Sequence, residues 1–162
     1  MEDKFKQIDI SYTYEFPVAD VFEAWTNPSY LTQWYAPHGC TIVYKKLDIR
    51  VGGAFHSCIH NPEFGDCWCV GRYLEIIPMK KIVYSLINAD ENGTPIDPTQ
   101  IGMHPDWPAE TTVTVSFTED NGKTIVNLKQ TAPESVAKKT GAFQSWLQMF
   151  ERMQTFIELE RA

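Results

Sequence analysis

Basic residues are the scarce class in this 162-residue sequence: 14 lysines and arginines stand against 21 aspartates and glutamates, a formal charge of −7. A sequence-independent nucleic-acid binder needs a basic face to displace phosphate counterions, and anionic lipid asks for the same. Neither nucleic acid nor membrane is therefore an expected partner. No apolar run approaches the roughly 18 residues of a membrane span. The opening MEDKFKQIDI has no continuous apolar stretch, so no secretory signal is expected. Asn92-Gly93-Thr94 is then a chance match to a glycosylation acceptor. Four cysteines are too few to staple a chain this long and suit a reducing compartment, so the expected location is the cytoplasm. Repeats and low-complexity segments are also missing.

Aromatic side chains are plentiful: nine phenylalanines, seven tyrosines and five tryptophans. With 43% hydrophobic residues they furnish a core without metal or disulfide, which excludes a disordered acidic tail. The length is that of one domain, residues 1–162.

Residues 7–15 alternate Ile8, Ile10, Tyr12 and Tyr14 with polar neighbours, the period of a half-buried strand. Pro17 ends it, and Val18, Val21, Phe22 and Trp25 recur at helical spacing. Asn27-Pro28 breaks that helix, and residues 28–34 read as a second. Strands follow over 41–49, 54–60, 67–77, 82–87, 111–118 and 124–131. The last two are joined by a turn whose Asn121-Gly122 marks a hairpin. Between them and the earlier strands lies a proline-studded stretch, Asn88 to Glu110, carrying Met103, His104 and Trp107. Loops this long are often lids. From Thr140 to Glu160 two apolar stripes run side by side, Phe143, Leu147, Phe150 and Ile157 beside Trp146, Met149, Met153 and Phe156. An arc so wide predicts a helix wrapped by a curved sheet. The expected architecture is α+β: an antiparallel sheet of about six to seven strands gripping a long carboxy-terminal helix, with two short helices after the first strand.

Several segments resemble one family in order and spacing. These are PVADVFEAWTNP from Pro17 to Pro28, Leu31 to Gly39, LDIRVGG from Leu47 to Gly53, and Gly71 to Pro78 followed by Ile82-Val83-Tyr84. Together they resemble the START-like superfamily, also called SRPBCC or birch-allergen-like. The branch is that homologous to the C-terminal domain of the heat-shock chaperone ATPase activator. The resemblance runs from about residue 8 to 158 and implies the same helix-grip fold. It differs at Gly141-Ala142-Phe143, where the family's glycine–tryptophan opening of the last helix has its tryptophan displaced to Trp146.

A sheet bent around such a helix leaves a cavity, and apolar cavities with a few polar groups are the usual small-molecule sites. The expected ligand contacts are Trp34, Phe55, Ser57, Cys69, Tyr73, Glu75, Trp107, Gln130, Phe143, Trp146, Leu147 and Phe150. Phe55 and Ser57 follow from strand alternation with Ile59; the resemblance places Gly71 and Tyr73 inward, and Cys67 and Cys69 with them. Tyr73, Glu75 and Gln130 are the polar residues of that set. A buried Glu75 would have a raised pKa unless Arg50 or Arg72 pairs with it.

His56, Cys58 and His60 share one strand face and Cys67 and Cys69 another, so register decides whether they could converge on zinc. With Phe55 and Ile59 inward the histidines point away from the cysteines, and neither metal nor cofactor is expected. Cys67 and Cys69 then act as small hydrophobes. His38 with Cys40 is a pair without an orienting third group; His104 and Asp106, flanking Pro105, could serve as acid or base, and a solvated loop pair is equally compatible. Gly52-Gly53 is a strand-end bend.

The leading expectation is a small hydrophobic molecule held in the cavity by a monomer or a homodimer, the latter through the sheet edge or the Trp68 face. A cavity enzyme of polyketide cyclase or hydrolase type, using Glu75, Tyr73 or a loop histidine, is the alternative. The resemblance also implies a chaperone-interacting role. The activator's separate amino-terminal domain has no counterpart here, which sets that role behind the others.

Overall fold

The computed structural model describes residues 6–161. The first five residues of the stretch read for a signal, and Ala162, lie outside it. The elements run β1 (Gln7–Tyr14), α1 (Val18–Thr26), α2 (Pro28–Trp34), β2 (Thr41–Leu47), β3 (Ala54–Asn61), β4 (Gly65–Ile77) and β5 (Lys81–Ala89). They continue with β6 (Glu110–Asp120), β7 (Lys123–Pro133), α3 (Glu134–Thr140) and α4 (Ala142–Arg161). The seven strands form one antiparallel sheet in the order β1-β7-β6-β5-β4-β3-β2. The expected α+β helix-grip architecture is present.

Local chemistry explains the joints. The β6–β7 hairpin turns through Asn121 and Gly122 at φ of 53° and 78°, the two left-handed positions that match the twist of the flanking strands. Glu119 at the end of β6 accepts a hydrogen bond from the Val18 amide at 3.0 Å. It thereby satisfies one of the open N–H groups of α1, whose preceding Pro17 offers no side-chain cap. Asn27 caps α2 by accepting from the Ser29 amide at 3.0 Å, with Pro28 in the first turn.

Irregularities between Tyr44 and Lys46 and between Tyr73 and Glu75 interrupt the ladders. Such bulges bend a strand and sharpen its twist. The sheet wraps α4, burying Trp146, Met149, Phe150, Met153 and Ile157 against strand residues such as Ile10, Val115 and Leu128. Polar clasps fix the helix in place. The Tyr14 hydroxyl donates to the Phe150 carbonyl at 3.0 Å. Arg152 donates to the carbonyls of Ala36, Pro37 and Cys40 at 2.5, 3.1 and 3.1 Å, tying α4 to the turn after α2.

One element differs from the sequence reading. The chain before α4 is itself helical, as α3, and Gly141 at φ of 91° separates the two helices. Left-handed backbone there ends α3 and re-aims the chain. The expected helix over 140–160 is α4, and α3 is an additional short helix before it. No helix among the described residues is long and apolar enough to cross a membrane.

Candidate functional site

Between α4 and the sheet lies a chamber of about 260 Å³. Its helix wall is Ala142, Ser145, Trp146 and Met149, residues three and four apart and hence on one face of α4. Its sheet wall is Ile59, Cys67, Cys69, Leu86 and Asn88, from β3, β4 and β5. Met103 and Trp107 from the long β5–β6 connection roof it. Trp107, Met103, Ala142 and Ser145 also border an adjoining groove of about 530 Å³ that includes the exposed Phe64, so the roof stands at the entrance.

Three of the chamber's polar side chains are bonded in a chain. The Trp146 indole N–H donates to Gln130 Oε1 at 2.9 Å, and Gln130 Nε2 donates to Thr111 Oγ1 at 3.0 Å. This chain satisfies a buried amide that would otherwise cost on the order of 1–3 kcal/mol. It also fixes the tryptophan ring that forms the wall.

Tyr35 and Leu86 separate the chamber from an inner space of about 20 Å³, which both also line. That is room for about one water molecule. Tyr44, Tyr73, Tyr84, Phe55 and Ser57 surround it. The Tyr35 and Tyr84 hydroxyls are 2.6 Å apart, and burial raises the pKa of all four tyrosines. Trp25 lines this space too, and its indole nitrogen is the buried side-chain polar atom without a partner among the described residues.

Cys67 and Cys69 stand two apart on the inner face of β4, both half-buried at the chamber wall. A thiol hydrogen bond from Cys69 lowers the Cys67 pKa to about 7, and the same bond, with burial, raises that of Cys69. The Asn88 amide approaches Cys69 Sγ at 4.0 Å. Both thiols are half-buried rather than fully buried as small core hydrophobes would be.

The structure sorts the twelve expected contacts. Cys69, Trp107, Gln130 and Trp146 meet around the chamber, and Phe55, Ser57 and Tyr73 around the inner space. Five residues lie elsewhere. Trp34 is fully buried, donating from Nε1 to the Ala24 carbonyl at 2.8 Å and packed edge-on to Trp25. Phe150 is fully buried between Tyr12 and Trp146. Leu147 packs against the core, and Phe143 lies beneath Lys138 Nζ, 5.0 Å from its ring centroid. The face of α4 turned to the chamber is the one through Ser145 and Met149, so the Phe143–Leu147–Phe150 stripe misses it.

Glu75 is the more consequential correction. The irregularity after Tyr73 sets Tyr73 opposite Tyr84 but Glu75 opposite Val83. Parity therefore flips between Tyr73 and Glu75, and the carboxylate emerges on the outer face. There it pairs with Lys81 Nζ at 3.3 Å, both side chains well exposed. Arg50 instead bonds Asp48, and Arg72 bonds the Gly52 carbonyl.

The register of β3 and β4 pairs His56 with Val70, Cys58 with Trp68 and His60 with Asp66. The histidines thus lie on the face opposite Cys67 and Cys69. His56 bonds the Asp90 carbonyl, and His60 bonds Asp66. His38 reaches Glu151 at 3.2 Å while Cys40 packs with Ala36 and Ile42. His104 accepts from the Asp106 amide at Nδ1, so that loop pair caps its own turn. On the outer face Lys45 lies over Trp68 at 4.8 Å.

Sequence reading missed Tyr35, Tyr84, Leu86, Asn88, Thr111, Ser145 and Met149. Tyr84, Leu86 and Asn88 alternate along β5, so period-2 parity extended one strand further would have found them. Nothing local marks Tyr35, which sits just past the end of α2.

Comparison with known proteins gives the same architecture. The family described as "Activator of Hsp90 ATPase homolog 1-like protein" matches residues 15–158. No curated protein matches the sequence. Among solved structures, a Staphylococcus epidermidis protein superposes with a TM-score of 0.78 at 22% identity, covering 98% of this chain and 93% of that one. An Arthrobacter aurescens protein also reaches 0.78, at 17% identity over 93% and 84% of the two chains. The AHSA1 protein from Silicibacter pomeroyi gives 0.75 at 16% identity over 96% and 99%. At these identities the likeness is one of fold.

Proposed function

We infer that this chain, which belongs to the Activator of Hsp90 ATPase homolog 1-like family, holds a small apolar molecule in the chamber between α4 and the sheet. The observation that carries this reading is the chamber itself. Its 260 Å³ is walled by Trp107, Trp146, Met103, Met149 and Leu86, and the lining Trp146, Gln130 and Thr111 groups are bonded to one another. Burying an apolar ligand there gains about 25 cal/mol for each Å² removed from water, without breaking a protein hydrogen bond. Methionines on both sides supply adaptable walls. The exit of Glu75 from the cavity removes one of the groups, named with Tyr73 and a loop histidine, on which a cavity-enzyme reading rested.

The test is native mass spectrometry with the neutral apolar dye N-phenylnaphthylamine. Wild-type protein is expected to carry one dye per chain, released on denaturation. Ser145→Trp, which fills the chamber from a position already at its entrance, is expected to fold and carry none. Equal loading of folded Ser145→Trp protein would refute the chamber as the site.

A further inference from the structure

We propose that the inner space is a subsite for one neutral oxygen, the hydroxyl or carbonyl end of the apolar molecule held in the chamber. The proposal rests on the ligand-holding reading and names the polar end of that ligand. Tyr35 and Leu86 line both spaces, so a molecule lying against Trp146 and Met149 meets the inner space at those two side chains. Its volume of about 20 Å³ suits a single water-sized atom.

The walls of this space carry more hydrogen-bonding groups than they use. Trp25 is 2% exposed, and its indole nitrogen is buried without a partner. The Tyr35 and Tyr84 hydroxyls bond each other, whereas those of Tyr44, Tyr73 and Ser57 bond no other group among the described residues. Buried polar groups are nearly always paired, with protein or with an ordered molecule. Four unused groups around one atom-sized space point to an occupant that bonds them.

The chemistry of the walls narrows that occupant. An indole N–H only donates, so the occupant must accept. Hydroxyls donate and accept, which suits an alcohol as well as a carbonyl. No charged side chain among the described residues lines the space. A carboxylate would lose its water there without gaining a counter-charge, so the oxygen taken is neutral. A water molecule offers the same oxygen, and the two sources differ in how the protein ranks ligands.

β-Naphthol and β-methylnaphthalene, which exchange a hydroxyl for a methyl group, separate them on the intact protein by quenching of tryptophan fluorescence. An apolar chamber alone prefers the methyl compound. With the subsite, β-naphthol is expected to bind tighter on the order of tenfold. Tyr73→Phe keeps the ring and removes one hydroxyl. It is expected to weaken β-naphthol on the order of threefold and to leave β-methylnaphthalene unchanged. The nuclear magnetic resonance signal of the Trp25 indole N–H, assigned through its contacts with the Trp34 ring, is expected to move further downfield with β-naphthol than with β-methylnaphthalene. Tighter binding of β-methylnaphthalene, with the indole signal alike in both complexes, would overturn the proposal. The inner space would then belong to water, and the ligand reading would stand. Tighter binding of β-naphthoate than of β-naphthol would overturn the neutral subsite. Binding of none of the three would end the ligand reading with it.

Discussion

Gly71 shows how tightly the strands of this sheet pack at a single residue. A Cβ there would meet the Ser85 carbonyl oxygen at 1.9 Å and the Phe55 ring at 2.5 Å. Both neighbours belong to the sheet, and the nearest is backbone, which cannot swing aside. Gly71→Ala is expected to cost about 1–3 kcal/mol, read as a lower urea midpoint at unchanged slope. Glu75 makes the opposite case. Its partner is an exposed lysine, and exposed pairs contribute little. Glu75→Gln is expected to leave stability within about 0.5 kcal/mol and dye uptake unchanged. A marked loss of uptake would return that carboxylate to the chamber.

At the scale of elements, the inner end of the cavity is a tyrosine cluster drawn from the turn just past α2 and from β2, β4 and β5. Tyr35, Tyr44, Tyr73 and Tyr84 all have raised pKa values, with burial the leading cause in each. An acid whose folded pKa exceeds its unfolded value of about 10 holds its proton better when folded. Its stabilising effect is complete below that value and declines as pH climbs above it. Alkaline titration is therefore expected to show tyrosinate absorbance from this cluster only as the sheet's circular dichroism collapses. Full tyrosinate formation near pH 10 in still-folded protein would contradict it. The elements themselves were largely legible, because β1, β6 and β7 alternate cleanly and α4 carries a wide apolar arc. What escaped was what breaks a period. The bulge after Tyr73 reverses parity for Glu75, and the polar run Glu134–Thr140 reads as a connection although it folds as α3. The rotation of α4 was equally hidden: two stripes flank its buried side, and only tertiary packing selects Ser145 and Met149 over Phe143 and Leu147 for the chamber.

For the whole molecule, the sheet, the clasped α4 and the β5–β6 connection act together to enclose one apolar space. Arg152 and Tyr14 hold the helix at a distance from β4 and β5, and Trp107 spans the gap at the entrance. A second hollow of about 530 Å³ lies on the outer face of the sheet, bordered by charged Lys46, Arg72 and Glu110. It is larger, but its lining is more polar than the chamber's, so apolar cargo is assigned to the smaller chamber. Crystals soaked with bromonaphthalene decide between them directly through the anomalous signal of the bromine. The predicted result is a peak between Trp146 and the Cys67–Cys69 segment of β4; a peak confined to the outer face, or none in either hollow, would contradict it.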